Sequence, residues 1–135
     1  SFEGTSVYPV ASGTVCKIQK QTSCGGNKVF VCSYVNGKKY TTVYMHLLSI
    51  KVSLYQTVYT NTVIATVGGG AQTSAKVKPY TGYDQCSYGA HLHIGIATGW
   101  YGSDYTAYST FKARTVDPAK TMGLPKRGVW WYSRY

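Results

Sequence analysis

Acidic side chains are almost missing from this chain of 135 residues: four aspartates and glutamates stand against fourteen lysines and arginines, a formal charge of +10. A surface with that imbalance is drawn to polyanions such as nucleic acid, anionic lipid or the teichoic acids of a bacterial wall. The lysines are scattered in ones and twos and no recognition helix is visible, so nucleic acid has no support beyond charge and tyrosines. No apolar run is long enough to span a bilayer, and no long amphipathic pattern predicts a helical fold. Cysteine is sparse and never occurs as C-x-x-C, which argues against a thiolate zinc site and for two disulfides among the four cysteines. Disulfides imply an oxidising, extracytoplasmic compartment. Without a signal peptide, the chain reads as a mature or trimmed product, extracellular or associated with a cell wall.

Tyrosine and glycine are abundant, at 14 and 15 residues, in a chain that is 44% hydrophobic. With strands rich in Val and Thr, they point to a mostly β, single compact domain covering residues 1–135. Strands are predicted at 2–10, confined to an edge by Pro9, then at 13–19, 28–35 and 39–48. Gly25-Gly26-Asn27 and Asn36-Gly37 supply the turns between the last three, which makes the sheet antiparallel. A β-region at 54–67 ends in Gly68-Gly69-Gly70, and a polar loop over 71–85 leads to a strand at 91–97. Further on come a tyrosine-rich loop at 99–108, a helical turn or two at 117–122 capped by Asp117, and an aromatic, basic tail that docks on the body.

The hairpin centred on Cys24 and Gly25 places Cys16 opposite Cys32, eight residues to either side. Of the three connectivities open to four cysteines, the favoured one is Cys16 with Cys32 and Cys24 with Cys86.

All three histidines fall in strand-like runs: His46 in VYMHLLS, His91 and His93 in CSYGAHLHIGIA. Residues i and i+2 of a strand share a face, so His91 and His93 can reach one point, and a third imidazole beside them suggests metal-assisted chemistry. The plain alternative is a set of hydrogen-bonded core histidines. Tyr44, Tyr83 and Tyr88 are candidates for lining a peptide groove, or for the core. Asp84 reads as a turn former, or less simply as a substitute metal ligand. Lys76, Lys78, Lys112, Arg114, Lys126 and Arg127 are candidates for contact with anionic glycan or teichoic acid, or are simply solvated.

Taken in order, GTSVYPVASGTV from Gly4, KVFVCSYVNGKKY, VYMHLLS, the TVGGG turn, YGAHLHIGI and the late VDP resemble the lysostaphin/LytM-like zinc endopeptidases. These enzymes cut peptide cross-links in bacterial peptidoglycan. The resemblance implies layered antiparallel sheets with a central groove and peptidoglycan peptide as partner. It also implies zinc held by His93, with His46 and His91 as catalytic groups that polarise the attacking water and stabilise charge in the transition state. The chain departs from the family in lacking H-x-x-x-D, the motif that supplies the other two ligands. That motif would fall a few residues before Ser1, and Glu3 aligns after it. Zinc binding is therefore conditional on residues upstream of Ser1, and truncation is the favoured account. The alternatives are an inactive relative that binds the wall or activates an amidase, and a secreted polyanion-binding or structural protein. Tyr55 and Ala65 replace turn glycines of the family, and Ile94 replaces a Phe.

Overall fold

A computed structural model describes residues 3–101 and 115–116. Among these are eight strands and no helix: β1 (Ser6–Val7), β2 (Gly13–Thr22), β3 (Gly26–Val35), β4 (Lys38–Ile50), β5 (Thr57–Val58), β6 (Ala65–Val67), β7 (His93–Thr98) and β8 (Thr115–Val116). All pair antiparallel in one sheet of order β1-β6-β4-β3-β2-β5, with β7 on β4 and β8 on β7. The 117–122 helix, the tail and the tyrosine-rich loop beyond Tyr101 lie outside the described residues.

The 13-residue β4 organises the sheet. One of its edges pairs with β3 from Lys38 to Tyr44 and again at Leu47. The other is divided, β7 taking Tyr40 to Met45 and β6 taking Leu47 to Ile50. His46 sits where one neighbour gives way to the other. Its φ is 60°, and register slips beside it on both edges, between Asn27 and Val29 of β3 and between Leu47 and Ser49 of β4. This is a β-bulge, and a non-glycine residue held in left-handed backbone is often a sign of a functional position.

Alternation explains the two faces. Val29, Val31 and Tyr44 join Val15, Leu47, Ile64 and Ile96 in one apolar cluster, while Phe30, Cys32, Val43 and Met45 join Cys16 and Ala97 in another. Because β3 is covered on both sides, it reads as the unbroken apolar run VFVC rather than as an alternating strand.

Three strand expectations shrink. The strand at 2–10 is only Ser6–Val7, since Pro9 has no N–H to offer a ladder. The 54–67 region breaks into β5 and β6 around turns, one of them at Tyr55, whose φ of 71° is a backbone conformation that glycine adopts more readily. The strand at 91–97 begins at His93, and His91 instead makes an isolated bridge to Gly68.

Candidate active site

The three imidazoles converge because β7 and β6 flank β4 on either side of the bulge. His93 opens β7 opposite Met45, His46 is the next residue of β4, and His91 is tied to Gly68 at the end of β6 through an N–H···O bond of 3.2 Å. Ring centroids are 4.5 Å apart for His46 and His91 and 5.9 Å for His46 and His93. One donor nitrogen from each residue lies within 4.8 Å of the others.

The glycine turn makes this approach possible. A Cβ on Gly68 would stand 2.6 Å from the His46 carbonyl oxygen and from the Leu48 nitrogen, and Gly69 has φ 87° with Ser87 and Gly89 packed against it. Only glycine lets the loop that ends in His91 close down on β4.

His46 and His93 are buried and His91 is partly exposed, so solvent reaches the cluster from the His91 side. Burial, reinforced by the positive charges of His46, His91 and Lys28, pushes His93 down to about 4, which leaves it neutral and able to ligate. Burial also lowers His91, against the pull of its bond to the Gly89 carbonyl. That carbonyl, 2.8 Å from Nδ1, can only accept, so Nδ1 of His91 carries a proton and Nε2 is the bare nitrogen of its neutral form.

Behind His46 lies Asp84, fully buried, with Oδ2 2.5 Å from Nδ1 of His46. Its Oδ1 accepts from the N–H groups of Gly25 at 3.1 Å and Cys86 at 2.9 Å. Burial by itself raises this carboxyl. The hydrogen bonds from His46, Cys86 and Gly25, with the His46 charge, outweigh it and hold Asp84 below the ordinary carboxylate range.

Disulfides join Cys16 to Cys32 and Cys24 to Cys86. Tyr44 does not line a groove. It is wholly buried, its hydroxyl accepts from the Val10 N–H at 2.9 Å and the Thr42 hydroxyl at 3.1 Å, and burial raises it to about 12. It is core because it alternates onto the inner face of β4. Tyr83 is partly buried and accepts from the Asn27 amide at 2.8 Å, while Tyr88 is 79% exposed. Glu3 packs on Gly70 and accepts from the Gln72 N–H at 3.4 Å, and it is not part of the imidazole cluster.

Two residues of the site surroundings were not foreseen as such. Asn27 donates to the Leu47 carbonyl at 2.9 Å and so satisfies backbone freed by the bulge. Asp84, by sequence a turn former or a substitute metal ligand, does bond the backbone two residues on; it is not grouped with the three imidazoles but reaches His46, 38 residues away, from behind. Its sequence signal was its rarity, as one of four acids in a basic chain.

A bulged antiparallel sheet that gathers three imidazoles at a strand junction has the architecture of a β-sheet metallopeptidase. Residues 1–118 match peptidase family M23, and the chain belongs to that family. Among solved structures, the catalytic domain of the antimicrobial peptidase lysostaphin from Staphylococcus simulans matches at 21% identity with a TM-score of 0.64, over 92% of this chain and 74% of that one. A putative peptidase M23 from Pseudomonas aeruginosa matches at 24% identity and TM-score 0.61, over 91% of this chain and 40% of its own. A zinc-containing peptidase from Vibrio cholerae matches at 26% identity and TM-score 0.52, over 70% of this chain and 24% of its own. No curated protein sequence matches.

The family is zinc-dependent. The donor chemistry fits that metal: the imidazoles are nitrogen donors of the kind zinc takes, and His93 is neutral. The sequence itself contains no H-x-x-x-D.

Proposed function

We propose that this chain is a zinc-dependent endopeptidase domain that hydrolyses peptide bonds in the stem or cross-bridge of bacterial peptidoglycan. The observation that supports it best is the convergence of His46, His91 and His93, with donor nitrogens within 4.8 Å, in a chain of an M23 peptidase family. His93 would hold the metal, and the H-x-x-x-D pair that would complete its ligands is not among these 135 residues. When bound, zinc supplies Lewis acidity toward the scissile carbonyl and makes water a stronger acid.

The remaining work falls to the chain's own imidazoles. His91, with Nδ1 committed to the Gly89 carbonyl, presents Nε2 as a proton acceptor toward the open side of the cluster. His46 stands beside it, the ring centroids 4.5 Å apart, so both imidazoles can act on one bound peptide. Between them they remove the proton of the attacking water, offset the charge that develops on the carbonyl oxygen and return a proton to the leaving amine. Exposed Tyr88 and partly buried Tyr83 offer aromatic surface to the peptide. The basic surface favours residence on a wall rich in anionic polymers, and the two disulfides suit a secreted protein.

The test compares this polypeptide with a form extended upstream of Ser1, measuring bound zinc and new amino groups released from purified peptidoglycan. Stoichiometric zinc and amine release in the extended form, both lost in His93→Ala, are expected. Absence of both in either form defeats the endopeptidase reading. The missing ligand motif supports one second reading, a wall-binding relative without catalysis. Its signature is peptidoglycan binding with no amine release.

A further inference from the structure

We infer that Asp84 is a positioning residue for His46, a buried carboxylate that dictates which ring nitrogen of His46 is left for chemistry. This rests on the reading of His46 as part of a hydrolytic site. The tautomer claim itself is independent of zinc and of turnover.

A carboxylate is costly to bury unless its lone pairs are met, and the surroundings of Asp84 meet them from two directions. Oδ1 takes the N–H groups of Gly25 and Cys86, and Oδ2 takes Nδ1 of His46. An ionised carboxylate only accepts, so the proton of neutral His46 sits on Nδ1 and the bare nitrogen is Nε2. The imidazole cannot turn about its χ2 without leaving Oδ2 of buried Asp84 without its partner.

The backbone of His46 is held by the same loop that holds the carboxylate. Its N–H donates to the Gly25 carbonyl at 2.7 Å, while the Gly25 N–H donates to Asp84. That loop contains Cys24, and the second N–H on Oδ1 belongs to Cys86, so the Cys24–Cys86 disulfide joins the two segments that grip Asp84. A carboxylate serving only as a turn former needs none of this reach across the chain. A carboxylate behind an imidazole is, by contrast, a general device for setting tautomer and ring orientation in catalytic and metal-binding histidines. Ser74 and Asp84 form an isolated parallel β-bridge, in which the Thr73 carbonyl accepts the Asp84 N–H at 2.8 Å and the Ala75 N–H donates to the Asp84 carbonyl at 2.9 Å, so the residue is fixed through its backbone as well.

The first test needs no variant: long-range proton–nitrogen NMR on the 15N-labelled, metal-free chain, at a pH where the His46 ring is neutral. The expected signal is the Nδ1–H tautomer. An Nε2–H tautomer overturns the inference. In Asp84→Asn, whose amide donates as well as accepts, His46 shifts to Nε2–H or to a mixture of forms, and an unchanged tautomer overturns the inference too.

The second test is turnover of peptidoglycan peptide by the extended, zinc-loaded protein. Asp84→Asn lowers kcat by about 10²- to 10⁴-fold, as loss of an orienting carboxylate does elsewhere, with KM changed by less than about threefold. It causes no further loss on a His46→Ala background. Independent, multiplying losses in the double variant overturn positioning through His46. If the wild type turns over no peptide, the peptidase reading fails, and the tautomer alone decides Asp84.

Discussion

Replacing Cys24 and Cys86 together by serine measures how much of the molecule's stability is covalent. Both positions are exposed, so serine introduces no buried polar group, and the change acts mainly through the unfolded chain. The bond spans 62 residues of sequence. Loop-closure entropy for that length is about −14 cal/mol/K, which is about 4 kcal/mol at 25 °C. The corresponding figure for Cys16–Cys32, which spans 16 residues, is about 3 kcal/mol. The longer bond therefore stabilises more, even though the shorter one links neighbouring strands of a continuous sheet. Urea unfolding followed by far-UV circular dichroism reads the difference. The serine pair is expected to lose about 4 kcal/mol and to show a larger m, because the released chain exposes more surface. A loss below about 1 kcal/mol with m unchanged refutes the reasoning, and means that the segments around Asp84 stay together in the unfolded ensemble without the bond.

Acid should weaken the metal-free fold well above the carboxylate range. His93 falls from 6.5 to about 4 on folding, so the unfolded chain binds the extra proton between those values. Stability is then full above pH 6.5 and declines as pH drops toward 4, by up to about 3 kcal/mol. Lowered His91 adds in the same direction, and depressed Asp84 extends the loss below its ordinary value of 3.8. Urea midpoints between pH 4 and 8 check this, and His93→Gln should flatten the slope; a level wild-type profile sinks it. Tyr44→Phe leaves the Val10 N–H and the Thr42 hydroxyl without that acceptor and is expected to cost about 1–3 kcal/mol. A change in KM with no change in stability would instead return Tyr44 to the substrate.

The sheet was legible where neighbours in sequence are neighbours in space. Strands β2 to β4 are joined by the turns around Gly25 and at Asn36-Gly37, and the apolar spacing of VFVC and TTVYM states which face each residue takes. Short edge strands were less legible, because β1, β5 and β6 are defined by what they pair with rather than by their own residues. The histidines announced themselves as a set. Hairpin arithmetic named the Cys16–Cys32 pair but not its register: Cys32 lies opposite Thr14, and Cys16 falls in the slip between Val15 and Lys17.

What the linear order could not contain is the bulge at His46. A left-handed φ at a β-favouring position arises only because β6 and β7 compete for the same edge of β4. The place of Asp84 behind His46 likewise comes from closing a loop 38 residues away onto the bulge, and that closure depends on Gly68, Gly69 and the Cys24–Cys86 bond together. Composition and periodicity record each residue's preference for a face. The atom of an imidazole that is left bare depends on which distant groups arrive at its other side, and that is decided only when the chain has packed.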